Sequence, residues 1–293
     1  SPSPLPQQQH TSRTITTTTN TMATFGKSVH DADGITLCRT DDGLFTLTMN
    51  RGENRWNLGL LNQLNTAIGI VEKAEHPKAL VVQGSGKFFS NGLDLEWMLA
   101  QDRKAAKQNE QQRSNPGASS PATPPLTSTK FIEKLWKLLA KLLVLNCRTV
   151  AAINGHAFGA GLFLALCCDY RVMRTRRGYC NFPESSLGMP LSPGFAAIVK
   201  DKLPDRRLQR EAVLNGRRYG STEAKSVGMI DEEVPVEQLW ETAAEIARDG
   251  YAHKLKLINF NPKQFSKLKM ELYAEAYFAL NKAKAPPLLK SKL

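Results

Sequence analysis

The sequence predicts an α/β fold with a helical C-terminal region. Apolar residues alternate with a period of two from Gly34 to Asn50. Units of buried strand, glycine-bearing loop and apolar helix recur about three times before residue 200, and beyond "YCNFPESSLGMPLSPG" the chain reads as helical to its end. At 293 residues, 41% apolar and 8% aromatic, it has ample material for a large core.

Taken in order, residues 1–27 are rich in Pro, Gln, Ser and Thr and read as a disordered extension, with Met22 a plausible start and residues 1–21 upstream of it. A core of 28–234 follows. "GITLCRT" and "LFTLTMN", joined by Asp41-Asp42-Gly43, form a hairpin with Phe45, Leu47 and Met49 on one face. Leu60, Leu61, Leu64, Ala67, Ile68 and Val71 make a helical stripe, "ALVVQG" is a buried strand, and "SGKFFSNGLDLEWM" is the loop after it. Residues 101–129 read as a flexible surface insertion. An amphipathic helix from Phe131 to Leu145, the strand "TVAAI", the stretch "NGHAFGAGLFLALCCD" and the strand "YRVMR" complete the core; 235–290 form the helical C-terminal region.

The net charge of +12 calls for an anionic partner, and the scattered lysines and arginines carry no nucleic-acid-binding signature. The five cysteines lack C-x-x-C spacing and two are adjacent in an apolar run, which marks reduced core thiols. The five histidines are far apart, so no metal site is expected, and the most apolar helix carries Lys134, Lys137 and Lys141 on one face, which excludes a membrane span there. Ser291-Lys292-Leu293 has the form of the peroxisomal address read by the import receptor.

Several motifs carry no chemistry. "GSGK" at 84–87 lacks the preceding glycine and following Ser or Thr of a phosphate loop. His156 reads as a structural histidine at a strand end, and Asp169 as a cap. What remains is a pair of loops, "VVQGSGKFFSNGLDL" and "AAINGHAFGAGLFL", each running from a buried strand into glycine-rich backbone that opens a helix. Such backbone can aim free N–H groups at one point, and two donors from separate loops can hold a carbonyl oxygen as it becomes an enolate.

These loops, with "FPESSLGMPLSPG" and "VLNGRRYGSTEAKSVGMIDEEVP", resemble the crotonase (enoyl-CoA hydratase/isomerase) superfamily over about Ile35 to Pro235. The resemblance implies a crotonase-type spiral of ββα turns, assembly as a homotrimer or hexamer, and a coenzyme A thioester substrate, with no separate cofactor. It places the oxyanion donors on the backbone N–H groups of Leu93 and Ala160. Ser90, Asn91, Gly92, Asp94, Gly159, Gly161 and Phe163 would contact substrate. Of the two glutamates that the hydratases use, one position is occupied here by Phe163 and the other by Glu184. A single carboxylate can move a proton between carbons, whereas hydration needs a second acid–base group. The pattern therefore resembles the peroxisomal Δ3,Δ2-enoyl-CoA isomerase branch, with Glu184 as the catalytic base. A hydratase or hydrolase drawing an acid from elsewhere, and a binding protein without catalysis, are the alternatives.

Overall fold

In the computed structural model, the seven-stranded sheet begins with an antiparallel meander. Residues 25–114, 126–250 and 261–286 are described. Strands β1 (Lys27–Ala32), β2 (Ile35–Arg39) and β3 (Leu44–Met49) pair in sequence order, with Ile35 opposite Met49 and Arg39 opposite Phe45 across the hairpin. Helix α1 (Leu58–Lys73) follows, started by Asn57, whose side-chain oxygen accepts from the Leu60 N–H at 3.1 Å. From there the sheet is parallel: β4 (Ala79–Gly84) joins β3, and the order is completed by β6 (Arg148–Ile153), β8 (Tyr170–Arg174) and β10 (Glu232–Val234). β4 and β6 are apolar on both faces because helices cover both, as parallel strands require.

The spiral comes from what each parallel strand does at its end. β4 turns a corner into the short strand β5 (Phe88–Ser90) and then α2 (Leu95–Ser114). After α3 (Ser128–Leu143), β6 (Arg148–Ile153) turns into β7 (His156–Phe158) and α4 (Ala160–Cys167); β8 (Tyr170–Arg174) turns into β9 (Cys180–Asn181) and leads on to α5 (Pro193–Lys202). β5, β7 and β9 form a separate parallel sheet of three strands. Asn154 ties two corners together, accepting from the Gly84 N–H at 3.0 Å and donating to the Gly86 carbonyl at 3.0 Å.

Helices α6 (Arg206–Leu214) and α7 (Ser221–Ser226) and the edge strand β10 (Glu232–Val234) close the core. Helix α8 (Leu239–Asp249) then covers the outer face of the large sheet through Leu239, Ala243, Ala244 and Ala247, while α9 (Pro262–Leu272) and α10 (Ala274–Lys282) complete the chain's helical end. This α/β spiral with its helical C-terminal region is the predicted fold class. The C-terminal helices are anchored by Lys269, whose buried ammonium lies 2.7 Å from Asp169 and donates to the carbonyls of Leu145 and Cys147. Asp169 also accepts from the Thr149 N–H at 2.8 Å, so it is a clasp within the fold.

The expectation for 101–129 is corrected at its two ends, while residues 115–125 lie outside the described residues. Residues 101–114 continue α2, and Ser128 and Thr129 belong to α3. The polar composition of "QDRKAAKQNEQQR" conceals strong helix formers, and Asp102 pins the helix to the start of α3 by accepting from the Ser128 N–H and hydroxyl at 2.8 and 2.6 Å. Most of the 1–27 extension and the whole of Ser291-Lys292-Leu293 lie outside the described residues. Among the described residues no helix is long and apolar enough to cross a membrane, and all five cysteines are free thiols.

Candidate active site

Among the described residues, Leu93 on one glycine-bearing loop and Ala160 on the other each have a backbone N–H without a partner. In the first, Trp56 pairs with Leu93 as an isolated parallel bridge: the Trp56 N–H donates to the Gly92 carbonyl at 2.8 Å, and the Asp94 N–H to the Trp56 carbonyl at 3.0 Å. Trp56 thus engages the residues flanking Leu93, and the Leu93 N–H is turned the other way. Among the described residues nothing accepts from it. Asn54, fully buried, holds this loop by donating to the carbonyls of Met49 and Phe89, both at 3.1 Å.

The second loop enters α4 through Gly159 at φ 47°, ψ −119°, a conformation that side chains disfavour. No side chain caps the helix, and Ala160 is its first residue, so the Ala160 N–H belongs to the unsatisfied first turn. The whole of α4 is buried and contains no acid or base. The loops are adjacent: a methyl group placed on Gly92 would lie 2.8 Å from the Phe158 carbonyl oxygen and 3.6 Å from the Ala160 nitrogen.

Leu93 and Ala160 line one cavity of about 330 Å³ together with Asn91, Gly92, Gly159 and Glu184. Glu184 stands on the turn after β9, which is closed by the Met189 N–H donating to the Glu184 carbonyl at 2.9 Å and the Leu187 N–H to that of Pro183 at 3.0 Å. Its Oε1 is 4.0 Å from where a Gly159 methyl would sit, while Oε2 is enclosed and has no partner among the described residues. Burial raises its carboxyl from the ordinary 4.5 to about 7, opposed only by its own backbone N–H. Among the described residues no other carboxylate lines the cavity. A desolvated base near neutrality beside two unpartnered N–H groups is suited to proton abstraction next to a carbonyl whose oxygen those groups hold.

Four residues expected to contact substrate do not line the cavity, each for a packing reason. Ser90 is fully buried and donates to the Asn54 carbonyl at 2.7 Å. Asp94 caps α2, accepting from the Trp97 N–H at 3.1 Å. Gly161 permits close approach of α4 to β5, since a methyl there would lie 2.5 Å from the Ser90 carbonyl oxygen. Phe163 is fully buried and stacks on Phe195 with ring centres 4.1 Å apart and planes 7° apart; Phe195 is the ring that reaches the cavity.

Sequence reasoning missed Arg55 and Arg218, the two cations lining the cavity. Both stand on irregular segments without periodicity. Arg55 pairs with Glu53 at 2.5 Å, and the Arg218 guanidinium lies 5.7 Å from the centre of the Phe158 ring. Burial, and then the neighbouring cations Lys87, Arg218 and Arg177, push the His156 imidazole below its ordinary pKa, and the ring stacks on Tyr179. Among the described residues no three His, Cys, Asp or Glu side chains are grouped as metal ligands would be.

Comparison with known proteins places these features in context. The family model for enoyl-CoA hydratase/isomerase matches residues 122–284. A peroxisomal enoyl-CoA delta isomerase 2 of Arabidopsis thaliana is 29% identical over 241 residues, spanning 81% of this chain and 90% of that one. A mitochondrial enoyl-CoA hydratase of Pongo abelii is 29% identical over 206 residues, spanning 70% of this chain and 62% of that one. Among solved structures, an apo enoyl-CoA isomerase from Mycobacterium tuberculosis superposes with a TM-score of 0.67 at 24% identity, covering 85% of this chain and 94% of that one, a likeness of fold.

Proposed function

Because the chain belongs to the enoyl-CoA hydratase/isomerase family, we propose that it is a Δ3,Δ2-enoyl-CoA isomerase, moving the double bond of a 3-enoyl-CoA into conjugation with the thioester. The observation that carries this reading is that Glu184 is, among the described residues, the sole carboxylate on a cavity that Leu93 and Ala160 also line. The thioester oxygen accepts from those two N–H groups. Glu184 takes a proton from C2, the electron pair passes into the enolate, and the two donors stabilise the charge as it forms. Each such donor is worth about 10²–10³-fold in rate. The enolate reforms the thioester carbonyl as C4 takes the proton back from Glu184, leaving the double bond between C2 and C3.

No atom or electron enters or leaves, so the reaction calls for no cofactor. Arg55 and Arg218 suit the phosphates of coenzyme A, and the apolar wall of Leu187, Met189 and Phe195 suits the acyl chain. Hydration would need a second acid–base group, and the side chain at the relevant position of α4 is Phe163, packed out of the cavity. Ser291-Lys292-Leu293 supports import into peroxisomes, in keeping with the peroxisomal relative. Exposed Leu268, Leu272 and Phe278 on the C-terminal helices support assembly into a trimer or hexamer.

The test is purified protein with 3-cis- and 3-trans-enoyl-CoA, followed at the absorbance of the conjugated thioester. Conversion by the wild type, with loss of about 10⁴-fold in Glu184→Gln and retained acyl-CoA binding, is the expected result. Consumption of 2-trans-enoyl-CoA by hydration, or full turnover by Glu184→Gln, would overturn the reading.

A further inference from the structure

A second chamber, of about 30 Å³, adjoins the main cavity through Glu184, Leu93, Met189 and Phe195, which line both. Among the described residues its remaining wall is Ile132, Pro190, Pro286 and Ser192, and Glu184 and Ser192 carry the only nitrogen- or oxygen-bearing side chains on it.

Ser192 departs from what its position predicts. It is the N-cap residue of α5, where a serine oxygen ordinarily accepts from an N–H of the first turn. Here the hydroxyl makes no capping bond; Pro193 at the start of the helix and the Ala196 N–H donating to the Ser192 carbonyl at 2.9 Å begin the helix without it. The residue is 5% exposed, and its Oγ, like Oε2 of Glu184, is enclosed and unpartnered among the described residues. Buried hydroxyls and carboxylates are seldom left without hydrogen bonds, and a polar chamber of more than about 10–15 Å³ can hold a water molecule.

We infer that this chamber is a water site and that Ser192 is a positioning residue, its hydroxyl holding one oxygen of Glu184 through a bound water while the other faces the substrate. The inference rests on the isomerase reading for its kinetic consequences. Donation through the water favours the ionised base. Besides Glu184, the charged side chains among the described residues that face the region are Arg55, from the segment before α1, and Arg218, from the segment before α7; both line the main cavity and neither lines the chamber. Once Glu184 has taken the C2 proton, that proton, the two of the water and the one on Ser192 form a single exchangeable set. One proton leaves C2 and one arrives at C4, but they need not be the same proton.

The test uses the full chain, Ser192→Ala, and Ser192→Val, which removes the hydroxyl and fills the chamber. Glu184 is titrated by carboxyl infrared difference spectroscopy without substrate, with Glu184→Gln as the blank. In both variants the midpoint should rise by about half a pH unit or more, because a stabilising donor to the anion is gone. During turnover in D₂O, deuterium at C4 of the product should be lost in Ser192→Val. A Glu184 midpoint unmoved in both variants would overturn the water site whatever reaction the protein catalyses. A raised midpoint in a protein that does not turn over 3-enoyl-CoA would keep the site and refute the isomerase reading instead.

Discussion

Replacing Glu184 with Gln should abolish activity and, above neutral pH, stabilise the fold. Burial raises the folded-state carboxyl to about 7 from the ordinary 4.5. The folded chain therefore binds that proton more tightly than the unfolded chain does. This contribution to stability is complete below the unfolded value and is lost as pH climbs through the folded one. At about 1.4 kcal/mol per pH unit, the rise amounts to a cost of about 3 kcal/mol once the carboxylate is ionised in the folded state. Glutamine keeps the shape and does not titrate, and whatever its amide gains or loses in hydrogen bonding is the same at every pH. The stability difference between Glu184→Gln and wild type should thus grow by about 3 kcal/mol from about pH 5 to about pH 8, in favour of the variant. For a chain of this size that is a shift of about 5–10 °C in the difference between melting temperatures. Paired urea or thermal melts across that range are the assay. A difference that stays flat would mean the Glu184 carboxyl ionises as readily in the folded chain as in the unfolded one, and the argument for a base raised by burial would fail. In wild type, the same ionisation should make kcat/KM rise with pH up to about 7 and then level off.

Other outcomes follow from the same geometry. Ala160→Pro removes one N–H at a helical first position that proline tolerates, so kcat should fall by about 10²-fold or more while circular dichroism is unchanged; a fully active variant would take Ala160 out of the oxyanion site. Phe163→Glu should confer no hydration of 2-trans-enoyl-CoA, because that side chain packs against Phe195 away from the cavity, and the buried charge should destabilise the fold in a denaturant titration. Gly161→Ala should cost about 1–3 kcal/mol in the same measurement, since the methyl meets Ser90 backbone. An N-terminal fluorescent fusion should appear as peroxisomal puncta that disperse on deletion of Leu293.

The long strands and amphipathic helices were legible because each has many residues over which a period can show. The hairpin from Gly34, the stripe on α1 and the apolar run of α4 all fall where their patterns put them. β5, β7 and β9 were not, since two or three residues carry no period and exist as strands only through pairing with distant neighbours. The glycine-bearing loops stood out by themselves, whereas Glu184, Leu93 and Ala160 were singled out within them and the Pro-Glu loop only through the family resemblance. Sequence adjacency misled at Ser90, Asp94 and Gly161, whose neighbours reach the cavity while they turn to the scaffold. Arg55 and Arg218 were hidden among 39 lysines and arginines, and only the fold singles them out.

The bridge between Trp56 and Leu93 has a consequence for how this site can vary. The unpartnered N–H there is main chain, held by bonds to the residues on either side of Leu93, so the side chain encoded at position 93 does not set it. A library randomised at 93 would sample different shapes and polarities against the cavity while the electrostatic centre stayed fixed. Intolerance should instead fall on residues that touch no substrate, Asn54 foremost, whose buried amide holds the loop from behind. Selection for a new acyl group can therefore act on one residue without renegotiating the chemistry, provided the turn beneath it is left alone.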